Sequence, residues 1–351
     1  MPHVSAKEGS MKAAQFNIHT KKVIVNEIPI PVCRDNEILI KNKCASLCHS
    51  DLMNFWGHSA PEMIEDDVTI GHENTGIVTA MGKGVTGFKI GDKVGCLGCS
   101  YACYECEGCQ THNLLCEAGT GKMHGFDTAG HFAEYSISDY RNAMVLPEDA
   151  DMVSAAPLFC AGVTAYHAVT QCELKSGDWI AAIGCGGLGH LGIQYAKAKN
   201  LKVIAIDVSE AQLENAKALG ADLTYNSMTD PDYVQNLKKA TNGGAHAAII
   251  FSAAQAAYIN APKILRSNGL MMVVGIPQKD LSFNALDILL GRYRIKGASS
   301  GTPQRMKEPI LFSLEHNIKP HMKTFEGLDH INEIIELMKD GKSAGRFGIT
   351  F

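Results

Sequence analysis

Residues Asp178–Lys199 read DWIAAIGCGGLGHLGIQYAKAK. An apolar strand leads into G-x-G-x-x-G at Gly184–Gly189, and a segment of helical periodicity follows. Such a glycine pattern alone is weak evidence, but strand before and helix after is the setting in which it cradles a dinucleotide. Gly184 permits the tight turn. Gly186, followed by Gly187 and Leu188, lets backbone approach a pyrophosphate, and Gly189 lets helix and strand pack closely. The helix N-terminus then favours the phosphate charge. A second strand, LKVIAID, ends at Asp207, eighteen residues after Gly189. A carboxylate there accepts hydrogen bonds from an adenosine ribose and repels a 2′-phosphate, which favours NAD over NADP. The plainer alternative is a tight strand–helix turn with a solvated aspartate.

Outward from this stretch, strands and helices keep alternating. EAQLENAKALG is a helix stopped at Gly220, and AHAAIIF and LMMVVGI are later buried strands. That alternation predicts a doubly wound parallel sheet over 159–293. Residues 12 to about 157 read differently, as short β-rich segments such as EILIKNKCAS and TGIVTAMG, broken by Gly and Pro. The expected fold is therefore α/β, with a β-rich domain of residues 1–158 and 294–351 beside the nucleotide-binding domain.

The chain has 351 residues, enough for two cores, with 46% hydrophobic and 20% charged residues. A formal charge of −5 without a basic run argues against nucleic acid as partner. No uninterrupted apolar stretch is long enough to span a membrane, and MPHVSAKEGSMK has no signal-peptide core. A cytoplasmic protein is expected. Twelve cysteines in such a chain point to metal before disulfides. Four of them, Cys103, Cys106, Cys109 and Cys116, fall in CYECEGCQTHNLLC with x2, x2 and x6 spacing. These steps suit a closed tetrahedral zinc within a lobe of about residues 96–117. Cys96 and Cys99 are rival ligands, and thiol redox chemistry is the competing use of C-x-x-C. CHSD at Cys48–Asp51, GHE at Gly71–Glu73 and CAGVTAY at Cys160–Tyr166 supply a second set. Cys48, His72 and Cys160 are expected to meet at one zinc whose fourth position stays open, with Asp51 bonded to the far nitrogen of His72.

Taken together, these motifs, with GGAH and the late GRF, resemble the zinc-dependent medium-chain alcohol dehydrogenase family, closest to its yeast-type tetrameric branch. The resemblance covers nearly the whole chain. It implies a GroES-like catalytic domain, a Rossmann NAD domain, two zinc ions per chain and a homotetramer. By the same resemblance Glu73 is an alternative ligand of the catalytic zinc, and His49 and Arg346 lie near the pyrophosphate. Thr164, Val274 and Ser299 line the nicotinamide side, and Ser252 contacts the cofactor. Ser50 takes the proton of a small alcohol whose hydride passes to NAD, giving an aldehyde or ketone.

The sequence departs from the family in four places. The last lobe spacing is x6, where x7 is usual. Gln212 replaces a lysine beside the cofactor, and Met53 stands at the position of the relay histidine, which leaves ordered water, the favoured reading, or His58 to carry the proton out. Gly98 stands where the yeast-type enzymes carry Trp, and Phe55 where they also tend to carry it, so a pocket wider than that of ethanol-preferring relatives is expected. Two rival readings stay open: a zinc-free NADP quinone reductase of the same superfamily, and a non-catalytic zinc-binding structural protein.

Overall fold

A computed structural model describes residues 9–56, 67–341 and 345–351. The chain forms two compact units, one of residues 1–160, 301–314 and 319–351, the other of residues 161–300 and 315–318.

In the second unit six strands pair in the order Leu223–Asn226, Lys202–Asp207, Trp179–Ile183, Ala245–Ile250, Leu265–Val273, Tyr293–Gly297. Every pairing is parallel. Strand order therefore reverses at Trp179–Ile183, the arrangement in which a ligand sits beyond the carboxyl ends of the strands. The strands are apolar runs because a parallel sheet is covered on both faces. Ala181, Ile204, Ala248, Ile250 and Met271 are all buried there. The last strand, Tyr293–Gly297, pairs with Leu265–Val273, so this sheet runs past residue 294, the boundary expected from sequence.

The first unit is built mainly on antiparallel β-structure, with Met322–Glu326 parallel to Arg346–Thr350. Its larger sheet runs Ala143–Val145, Lys93–Cys96, Asn74–Met81, Glu37–Leu47, Arg346–Thr350, Met322–Glu326. Tyr135–Asp139 also pairs with Glu37–Leu47. The C-terminal strand enters this sheet with Phe347 opposite Leu47. A helix over Ile331–Lys339 closes the core, burying Ile331, Ile334, Ile335 and Met338. That i, i+3, i+4, i+7 spacing makes one apolar face, and it packs with Phe16, Leu47, Phe132 and Phe347.

Candidate active site

Three strand ends and one turn bring the first cluster together. Cys48 directly follows Glu37–Leu47, His72 and Glu73 directly precede Asn74–Met81, and Arg346 opens the C-terminal strand. Ala45 lies opposite Asn74 and Phe347 opposite Leu47, so register alone sets these ends side by side. Cys160 follows the turn Ala156–Phe159. Phe159 lays its ring on Gly95, where an added Cβ would sit 1.9 Å from it. One potential ligand atom from each of Cys48, His72, Glu73 and Cys160 lies within 4.8 Å of every other.

The atoms around this cluster prepare it for a cation. His72 Nδ1 lies 2.8 Å from Asp51 Oδ1, and Cys48 N–H donates to Asp51 Oδ2 at 2.8 Å. Asp51 thus holds two of the ligands with one carboxylate. With Nδ1 committed, His72 turns Nε2 inward, where it is buried with no hydrogen-bond partner. A buried imidazole nitrogen without a partner is costly unless something electrophilic meets it. The hydrogen bond from Cys160 holds Cys48 well below the ordinary thiol range, against the effect of burial. The same bond, with burial, pushes Cys160 well above it. Burial works against charge on His72, but Asp51 and Cys48 outweigh it and raise the imidazole. This donor set of two sulfurs and one imidazole fits zinc, with an open fourth position.

Glu73 is buried and accepts a hydrogen bond from Arg346 Nη2, while Ser46 Oγ donates to its other oxygen. Burial raises its carboxyl to about 7 although Arg346 opposes the rise. Arg346 therefore lies in the first unit as the buried partner of Glu73. Ser50 Oγ lies 3.3 Å from Cys48 Sγ, and His49 is exposed on the same turn.

In the lobe, the sulfurs of Cys103, Cys106, Cys109 and Cys116 likewise lie within 4.8 Å of one another. Cys103 Sγ is 3.8 Å from Cys109 Sγ. Ligands about 2.3 Å from a tetrahedral zinc stand about 3.8 Å apart, whereas disulfide sulfurs stand about 2 Å apart. All four cysteines are free. Backbone N–H groups of Cys103, Cys106, Cys109 and Glu117 point at the sulfurs, at 3.3 to 3.5 Å. The one from Cys103 leads in pulling the Cys116 thiol down to about 5. Cys96 and Cys99, the rival ligands, lie outside this group. Burial pushes both up to about 12.

In the second unit, Gly184 has φ +87° and an added Cβ would meet Ser252 N at 2.9 Å. A Cβ on Gly189 would meet Gly184 O at 1.9 Å, while one on Gly186 would meet nothing within 4 Å. The turn is thus packed on its inner side and open where a pyrophosphate would approach. Asp207 ends its strand and accepts from Cys185 N–H at 2.6 Å, Val208 N–H at 2.7 Å and Ser209 N–H at 3.0 Å. It walls a cavity of about 320 Å³ shared with Gly184, Ser227, Ser252 and Ala257. A larger cavity of about 1020 Å³, lined by Met11, Val32, Tyr101 and Tyr135, contains none of these residues. Ser252, Val274 and Ser299 each follow the carboxyl end of a strand, Gln212 lies on the helix Glu210–Ala218, and Thr164 is buried in Ala161–Thr170.

Residues 34–148 match the family model of the alcohol dehydrogenase GroES-like domain, and residues 187–315 match that of a zinc-binding dehydrogenase. An alcohol dehydrogenase of Geobacillus stearothermophilus is 36% identical over 96% of this chain and 98% of its own. The chain belongs to the zinc-type alcohol dehydrogenase family. An alcohol dehydrogenase of Moraxella sp. (strain TAE123) is 35% identical over 97% of this chain and 99% of its own. Among solved structures, an alcohol dehydrogenase from Aeropyrum pernix superposes with a TM-score of 0.88 at 28% identity, covering 97% of this chain and all of its own. The acetophenone reductase of Geotrichum candidum, solved with NAD, gives 0.86 at 27%, covering 99% of each chain. The fold is accordingly the GroES-like β-rich domain joined to a Rossmann domain.

The structure gives the surroundings of the two residues expected in the pocket. Gly98 does not face empty space: a Cβ there would stand 3.0 Å from both His72 Cβ and Met123 Cε. The end of Met123 thus lies against the face of Gly98 from which a side chain would project. Phe55 packs into the apolar core, its ring 4.8 Å from that of Phe16 and beneath Lys339 Nζ at 4.5 Å. Met53 opens a short helix directly after the Ser50 turn. His58 lies outside the described residues.

Sequence reasoning missed the polar clamp that seats the lobe. Tyr104 OH donates to Asp139 Oδ2 at 3.2 Å and accepts from Asn142 Nδ2 at 2.6 Å. Arg141 forks onto Asp139 and stacks over the Tyr104 ring at 4.2 Å. Tyr104 is more than thirty residues from Asp139, Arg141 and Asn142, so no local spacing signals the clamp.

Proposed function

We propose that this protein oxidises small alcohols to aldehydes or ketones with NAD, and reverses the reaction. The observation that carries the reading is the inward, partnerless His72 Nε2 facing Cys48 and Cys160. Cys48, His72 and Cys160 would hold the catalytic zinc, with Glu73 in reserve, and the four lobe cysteines a structural one. Bound zinc supplies a Lewis acid toward the oxygen of the alcohol, and NAD supplies the hydride acceptor. Asp51 keeps the His72 proton on Nδ1, so that Nε2 presents its lone pair. Ser50, whose hydroxyl lies 3.3 Å from Cys48 Sγ, accepts the proton of the alcohol and passes it on.

Asp207 supports NAD over NADP. Three backbone donors hold its carboxylate at the wall of the cavity in the second unit, where it would meet a 2′-phosphate with like charge. The reading includes a cytoplasmic setting, which keeps the lobe thiols reduced, and a tetramer, which light scattering measures. Metal analysis beside a panel of alcohols with NAD and NADP tests it. Two zincs per chain with NAD-linked turnover is the expected result. One zinc without turnover supports a binding protein, and metal-free protein reducing quinones with NADPH supports the reductase.

A further inference from the structure

The short hairpin after the metal-ligand region carries an unassigned side chain. Cys99–Ser100 pairs with Lys122–Met123, Cys99 opposite Met123. His124 N–H donates to Gly98 O at 2.8 Å, which fixes Met123 over Gly98. A Cβ added to Gly98 would stand 3.0 Å from Met123 Cε and 3.0 Å from His72 Cβ. The end of the methionine and the root of the zinc-ligand histidine therefore flank one small volume. Phe126, the next apolar residue of the turn, stands with its ring 5.9 Å from that of His72.

The root of Met123 is anchored and its tip is soft. Its N–H donates to Asp127, and its carbonyl accepts from Phe126 and Asp127 N–H at 3.2 Å. Its sulfur accepts the Cys99 thiol at 3.4 Å. The side chain is only partly buried. Three rotatable bonds let a thioether adapt to irregular apolar shapes.

We propose that Met123 sets the size of the apolar substituent accepted beside His72, admitting aromatic or branched alcohols when its tip swings aside. This rests on the alcohol dehydrogenase reading given above. Removing the Cγ, Sδ and Cε atoms in Met123→Ala opens the volume permanently. Met123→Phe fills it with a ring that has fewer shapes, and Met123→Leu nearly conserves it.

Two measurements on the zinc-loaded protein test the assignment. One is kcat/KM for benzyl alcohol against ethanol. The other is the dissociation constant of 4-fluorobenzyl alcohol against 2,2,2-trifluoroethanol by ¹⁹F NMR, which requires no turnover. In both, the preference for the aromatic ligand is expected to rise roughly 10-fold in Met123→Ala, fall by a similar factor in Met123→Phe and stay near wild type in Met123→Leu, since a hydrophobic contact is worth about 10–200-fold in selectivity. Both ratios staying within about 2-fold in the Ala and Phe variants, with zinc content and Tm intact, overturns the assignment. Wild-type protein that turns over no alcohol overturns the proposed function instead, and the binding ratio still decides the role of Met123.

Discussion

Asp51 bonds both Cys48 N–H and His72 Nδ1, so one carboxylate aims a sulfur and a nitrogen at the same point. Asp51→Asn keeps the shape but weakens the acceptor and lets the amide present a donor to His72. Such outer partners are worth about 10–100-fold in metal affinity. With the two zincs proposed above, the variant is expected to lose the one that Cys48, His72 and Cys160 would hold to a chelator at that much lower concentration, while the one in the lobe stays; equal retention in both proteins sinks the role. Asp207 makes a second residue-scale case because it does two jobs. In the proposed NAD reading its charge would oppose a 2′-phosphate, and its oxygens also satisfy the N–H groups of Cys185, Val208 and Ser209. Asp207→Ser should therefore raise the NADP-to-NAD ratio of kcat/KM and also lower stability by about 1 kcal/mol, the net worth of part-buried hydrogen bonds. A parent protein that already prefers NADP contradicts the first expectation, and an unchanged Tm the second.

At the scale of elements, what the sequence reveals follows the range of the interaction. Gly184–Gly189 is legible because turn, phosphate loop and helix start lie within six residues. The lobe cysteines are legible for the same reason. Cys48, His72 and Cys160 are separated by whole strands; the register of Glu37–Leu47 with its neighbours sets Cys48 beside His72 and the turn Ala156–Phe159 brings in Cys160, so the motifs name the residues and no local spacing shows that they meet. Met123 was invisible because its significance depends on a hairpin pairing Cys99 with Met123 and on the glycine beneath it. The Tyr104 clamp was invisible too, and it carries an expectation of its own. Tyr104→Phe removes the acceptor for Asn142 and a donor to Asp139, which should lower stability by roughly 1–3 kcal/mol with the lobe zinc retained. Cys106→Ser removes a ligand and should lose that zinc together with a larger part of the stability, since a closed site contributes folding energy directly. Metal analysis and Tm of the two variants separate clamp from ligand. If Tyr104→Phe also releases the zinc, the clamp shapes the metal site as well as seating it.

For the whole molecule, a net charge of only −5 leaves little general repulsion, so the response of stability to acid falls to particular buried groups. His124 is one. Its Nδ1 lies 2.7 Å from Ala129 O and its Nε2 2.9 Å from Ser100 Oγ. Burial drives its pKa down to about 4, with His72 adding to the fall and Asp139 opposing it. Its ring stacks at 4.6 Å on His131, which burial and His124 itself push the same way. A histidine depressed in the folded state binds its proton more readily when unfolded, at about 6.5. Its contribution is thus complete above pH 6.5 and is lost as the pH falls toward 4. Between pH 7 and pH 5 that loss amounts to about 2 kcal/mol. His124→Gln keeps a donor and an acceptor in place but has no proton to gain. The variant is therefore expected to be less stable than the parent at pH 7, and the gap should narrow by about 2 kcal/mol at pH 5, measured by urea unfolding at both values. A gap that stays constant between the two pH values shows that His124 takes up its proton as readily in the folded chain as in the unfolded one, against the burial that surrounds it.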